Sequence, residues 1–147
     1  MATDAFPDVV DPDAVGTYDA VAGAGGGFVW DEVLEYRVWC HPKDGNDDFF
    51  FAFPTYAEAS AFAVLKRESD ASLAQVEDPL ALVRQEEYID ESSPGEYVHV
   101  TERRVTEWPP DFLSRPRRTA RTIPDFLSPD APANRLEILR GVVTNGS

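Results

Sequence analysis

Sulfur and positive charge are both scarce in this sequence. Its 147 residues include one cysteine, Cys40, and one methionine. No disulfide framework can therefore close within the chain, and the usage suits a reducing, cytoplasmic compartment. Thirteen Lys and Arg stand against 27 Asp and Glu, a formal charge of −14. A surface of that sign repels phosphate backbones and anionic headgroups, which argues against general nucleic-acid or lipid binding. No apolar run approaches the roughly 18–20 residues that a membrane-spanning helix requires. Met1-Ala2-Thr3-Asp4 has neither the basic nor the apolar region of a secretory leader, and none is expected. Cys40, His41 and His99 are three soft ligands where a structural zinc site usually needs four. What the chain does have is 43% hydrophobic and 12% aromatic residues, enough for one packed domain.

Residues 1–27 read as an acidic, flexible N-terminal arm. Seven acids and no base lie within residues 1–32, Pro7 and Pro12 interrupt any helix, and Gly23-Ala24-Gly25-Gly26-Gly27 closes the stretch. The glycine run lacks the Lys of a phosphate-binding loop, and Phe28 stands where a dinucleotide fingerprint needs its third glycine, so a hinge is expected.

Residues 28–108 read as an α+β domain. Over residues 33–40, Leu34, Tyr36, Val38 and Cys40 alternate with Glu35, Arg37 and Trp39, the period of a strand buried on one face. Pro42, Asp44-Gly45 and Asn46 form a turn, and Phe49-Phe50-Phe51-Ala52-Phe53 reads as a second strand closing a hairpin. Thr55-Tyr56-Ala57-Glu58 has the spacing of a capping box, predicting a helix over residues 56–68. Residues 70–79 read as a loop, 80–89 as a third strand, Ser92-Ser93-Pro94-Gly95 as a turn and 97–108 as a fourth strand. The order is β-β-α-β-β: a four-stranded, mainly antiparallel sheet covered by one helix.

Residues 109–147 change character. Prolines at 109, 110, 116, 124, 129 and 132 break both helix and strand, leaving an irregular extension with a short helix capped by Asn134. Pro110-Asp111-Phe112-Leu113-Ser114 recurs fourteen residues on as Pro124-Asp125-Phe126-Leu127-Ser128. Between the copies lie Arg115, Arg117, Arg118 and Arg121 with no acid.

Several constellations fall short of chemistry. Asp44, Asn46 and Asp48 have the opening spacing of a calcium loop, but Phe49 and Thr55 stand where its glycine and glutamate belong. A Cys40–His99 nucleophile pair requires their strands to be neighbours; otherwise Cys40 is a small buried hydrophobe. Glu86, Glu87, Asp90 and Glu91 could supply an acid/base pair but read more simply as a solvated hairpin end. No catalytic, metal or cofactor residue is assigned. The repeat offers two Phe-Leu anchors that could engage one protein bivalently, with Trp108, Asp111, Phe112, Leu113, Arg115, Arg117, Arg118, Arg121, Asp125, Phe126 and Leu127 as contact residues. Equally, both phenylalanines could pack on the chain's own sheet, with the arginines neutralising its acids. A non-enzymatic, protein-binding regulatory or adaptor role is the expectation. The charge pattern also suits a head-to-tail homodimer, and binding or mimicry of nucleic acid is a weaker alternative.

Leu34-Glu35-Tyr36-Arg37-Val38-Trp39-Cys40-His41-Pro42, Gln85-Glu86-Glu87-Tyr88-Ile89-Asp90-Glu91 and Phe112-Leu113-Ser114-Arg115-Pro116-Arg117-Arg118 together resemble a group of small alphaproteobacterial proteins, some labelled GNAT-type acetyltransferases. The resemblance covers roughly residues 18–141 and implies an acetyl-CoA-dependent acyltransferase as the enzymatic alternative. The sequence departs from that superfamily's [QR]-x-x-G-x-[GA] cofactor loop, since Arg84 and Gln85 are followed by acids. No functional residue carries over.

Overall fold

The structure is a computed structural model that describes residues 6–20, 29–110 and 119–135. It is α+β and mostly antiparallel. The expected first hairpin is present as β1 (Glu32–Pro42) and β2 (Phe49–Phe53), paired from Tyr36↔Phe53 to Cys40↔Phe49. Helix α1 (Tyr56–Ser69) follows as predicted. The Thr55 hydroxyl accepts from the Glu58 amide at 3.1 Å and donates to the Glu58 carboxylate at 3.0 Å. This satisfies an amide that a helix start leaves without an intrahelical partner.

Two expectations need correction. Residues 70–79 are not all loop: β3 (Leu73–Val76) pairs antiparallel with the end of β1. Four residues with only their outer two buried carry too short an alternation to be seen in sequence. The two long strands expected over residues 80–89 and 97–108 are each divided. Their halves are β4 (Leu80–Gln85) and β5 (Tyr88–Ser93), then β6 (Glu96–Val100) and β7 (Arg104–Trp108). The inner halves β4 and β7 pair in the main sheet, while β5 and β6 form a separate two-stranded ribbon. The break after Gln85 is held by the Asp31 carboxylate, which accepts from the Glu86 amide at 2.7 Å. The main sheet therefore has five strands rather than four. Its path is β2-β1-β4-β7, with β3 lying on the β4 side of β1. The turn expected over Ser92–Gly95 is narrower, with Ser92 and Ser93 still in β5 and Pro94-Gly95 turning the chain, Gly95 at φ +82, a conformation that glycine adopts without strain.

One core lies between the sheet and α1: Val33, Tyr36, Val38, Cys40, Ala81, Val83 and Trp108 against Ala59 and Ala63. A second lies against the ribbon, where α2 (Thr122–Leu127) sets Ile123 and Phe126 on Val29, Tyr88 and Ile89.

The N-terminal segment is not free in solvent where it is described. Residues 6–20 run along the body, with Val9 buried in the first core. The Val10 amide donates to the Val33 carbonyl at 2.8 Å, on the side of β1 that β2 leaves uncovered beyond Phe53. A short 3-10 turn at Pro12–Ala14 then brings Gly16 to the Glu35 carboxylate at 2.9 Å. The Gly23–Gly27 run lies outside the described residues.

Candidate docking surface

Each residue expected to bind a partner can now be placed. Asp111, Phe112, Leu113, Arg115, Arg117 and Arg118 lie outside the described residues. Trp108, at the end of β7, is 4% exposed and belongs to the core under α1. Phe126 is also 4% exposed and meets Tyr97 edge-on with ring centroids 4.9 Å apart. Leu127 packs on the same cluster. Arg121 is exposed and pairs with Asp125 one helical turn on, at 3.0 Å. The second repeat copy thus uses its aromatic anchor inside the fold. Burying a phenylalanine side chain stabilises by roughly 1.5–3 kcal/mol, which gives α2 its hold on the ribbon.

The constellations weighed for chemistry are structural. His99 lies on β6, which pairs with β5 and not with β1, so the topology does not bring it beside Cys40. Burial pushes the Cys40 thiol pKa up, away from the thiolate form. His99 instead pairs with Glu87 at 2.5 Å, and Glu86 with Arg103 at 3.0 Å. The Glu91 carboxylate accepts from the Gly95 amide at 2.8 Å and closes the ribbon turn. Asp44 accepts from the Asn46 amide at 3.0 Å, an Asx turn, while Asp48 reaches His41 Nδ1 at 2.9 Å. No cluster of His, Cys, Asp and Glu side chains among the described residues converges as a metal site.

A buried ionic network was not anticipated. Glu35 and Arg37 share a strand face, as their spacing predicts, but that face is covered and both residues are 0% exposed. Arg37 Nε donates to Glu35 at 2.6 Å, and a terminal guanidinium nitrogen donates to Glu107 at 2.9 Å. The guanidinium also donates to the backbone carbonyls of Asp19 and Ala20 and lies 4.3 Å from the Phe50 ring centroid. Trp39 Nε1 donates to the same Glu107 oxygen at 2.8 Å. Two opposite charges two residues apart, next to a tryptophan, were the available signal. Alternation alone assigns that face to solvent. With its donors occupied by protein acceptors, Arg37 acts as a strap anchor.

The main sheet ends in β2 on one side and β7 on the other, and the β2 end carries the exposed aromatics. β2 is an end strand of the main sheet, and among the described residues no strand pairs with its outer edge. Phe49 is 38% and Phe51 37% exposed, and as neighbours on one face they form a contiguous apolar patch rather than scattered exposed residues. Their rings meet edge-on at 5.7 Å, and Phe51 also touches Phe62 of α1 at 4.7 Å. Leu65, one turn beyond Phe62, is 65% exposed and Val64 48%. β2 is apolar at every residue because both of its faces are used: Phe51 and Phe53 meet Phe62 of α1 and Phe49 meets Phe51, while Phe50 packs on Trp39 on the other face at 4.9 Å.

Comparison with known proteins returns no matching family model, no matching curated protein and no matching solved structure. Among the described residues no helix is long and apolar enough to cross a membrane.

Proposed function

We propose that this chain is a non-enzymatic protein-binding module with a regulatory or adaptor role. The observation that carries the reading is the unpaired outer edge of β2, with Phe49 and Phe51 each more than a third exposed. An edge strand presents a row of main-chain donors and acceptors that can pair with another polypeptide, and the exposed aromatics add an apolar contact. The duplicated motif supports the same reading in a narrower form. Phe126 belongs to the fold, and the reading assigns partner contact to Phe112, Leu113 and the arginines at 115, 117 and 118, which lie outside the described residues. The test is capture from native lysate by the intact chain, by Phe112→Ala and by Phe51→Lys. Loss of a captured protein in either variant, with the thermal melt unchanged, supports the reading; identical capture by all three contradicts it. The acyltransferase alternative is separated by titration with acetyl-CoA, which raises the melting temperature of a protein that binds it and leaves this one unmoved.

A further inference from the structure

We propose that the open edge of β2 receives an extended, basic-ended segment of a partner protein as an added strand. This inference rests on the reading of the chain as a protein-binding module and names the partner's chemistry. An edge strand offers main-chain donors and acceptors at strand spacing, so an extended backbone satisfies them and a helix does not. The apolar middle of the site is set by Phe49 and Phe51 with Phe62 behind them. Acids flank it along the chain. Asp47 and Asp48 immediately precede β2, Asp48 reaching His41 at 2.9 Å with half its side chain still exposed, and Glu58, which accepts from the Thr55 hydroxyl, stands exposed on the first turn of α1, five residues after Phe53. Two lysines lie nearby: Lys66 is held by Asp70 at 3.1 Å with its ammonium 5.5 Å from the Phe51 ring centroid, at the apolar middle of the site, and Lys43 shares its loop with Asp44, Asp47 and Asp48. A strand laid along β2 meets aromatic rings at its centre and the carboxylates of Asp47 and Asp48 at its Phe49 end, with Glu58 further along the chain past its Phe53 end. Lys or Arg at the ends of the incoming segment, with apolar or β-branched residues between, complements that pattern. A second copy of this chain does not: it also carries −14, and its own β2 brings the same acids.

The probe is a fluorescently labelled peptide, Lys-Arg-Val-Thr-Val-Thr-Val-Arg-Lys, titrated into the full chain by fluorescence anisotropy. Two controls accompany it, one with acidic ends and one with proline at the centre. The basic-ended peptide is expected to bind at least tenfold tighter than either control, to weaken as salt rises, and to lose at least tenfold in affinity for Phe51→Lys. Phe49→Lys, at the exposed start of the strand, is the second variant should Phe51→Lys melt early. Equal binding of the proline peptide reduces the attraction to charge alone and overturns the inference. Concentration-dependent dimers in sedimentation, abolished by either variant, assign the edge to a second copy and overturn it too. If no peptide binds while Phe51→Lys still loses a captured lysate protein, the basic-strand inference fails and the protein-binding reading survives. If both fail, both readings fall together.

Discussion

Glu35 and Arg37 sit two residues apart on the central strand, both sealed from water, with their charged atoms 2.6 Å apart. Isolated, such a pair gains little over a hydrophobic replacement of the same shape, because desolvation offsets attraction. Here the pair does a second task. Arg37 holds the carbonyls of Asp19 and Ala20, and Glu35 holds the Gly16 amide, so the sheet face and the N-terminal segment are fastened at one point.

Arg37→Ala is therefore expected to destabilise the fold by about 3–5 kcal/mol, the range for removing one member of a buried ion pair. Glu35 and Glu107 are left facing each other without their cation, and residues 16–20 lose their anchor. Urea denaturation checks the magnitude. Hydrogen exchange at residues 16–20 checks the release, and unchanged protection there contradicts the strap.

His41 links β1 to both neighbouring loops, through Glu77 and through Asp48 at 2.9 Å. The hydrogen bond to Glu77 is the main cause of its raised pKa, with Asp48 adding to it. A histidine pKa raised on folding contributes stability that is complete below the unfolded value of about 6.5. That contribution fades as pH rises through the folded value. The wild type is thus expected to lose stability relative to His41→Gln as pH rises from about 6.5 upward. Parallel melting curves for the two proteins across that range contradict the linkage.

Phe126→Ala is expected to weaken the fold by about 3–5 kcal/mol where the ribbon and α2 unfold with the sheet. If they open on their own, the loss appears as fast exchange at residues 88–100 alone. Phe112→Ala, in the other repeat copy, is expected to leave exchange at residues 88–100 unchanged. Equal effects of the two substitutions would show that the copies play one role.

Thr55→Ala removes the hydroxyl that caps α1 and is expected to destabilise by about 1 kcal/mol. Thr55→Ser retains that hydroxyl and is expected to restore most of the loss. The ratio of their denaturation midpoints to the wild type measures it.

The first hairpin and α1 were legible because their signals are local: period-two alternation in residues 33–40, a turn at Asp44-Gly45, and a capping box at Thr55. The later strands were not, because their division depends on which neighbour each half finds. Residues 80–89 and 97–108 alternate well enough throughout, yet the chain leaves the strand after Gln85, where the Asp31 carboxylate meets the Glu86 amide, and again over residues 101–103, so their other halves pair in the ribbon. The covered face of β1 was missed for a related reason. Glu35 and Arg37 look solvated until residues 16–20, distant in sequence, are laid over them. For the site, the repeat was visible as a pattern, but its two copies could not be told apart without seeing Phe126 under Tyr97. The open edge of β2 was invisible in sequence. Five apolar residues read the same whether a strand is central or terminal, and strand order alone decides between them.

Backbone amide exchange across β2 tests the central claim most directly, measured free and with the basic-ended peptide or a captured partner. The account predicts added protection within Phe49–Phe53, with β7 at the opposite edge unchanged. Protection that appears elsewhere while β2 exchanges as in the free chain would contradict it.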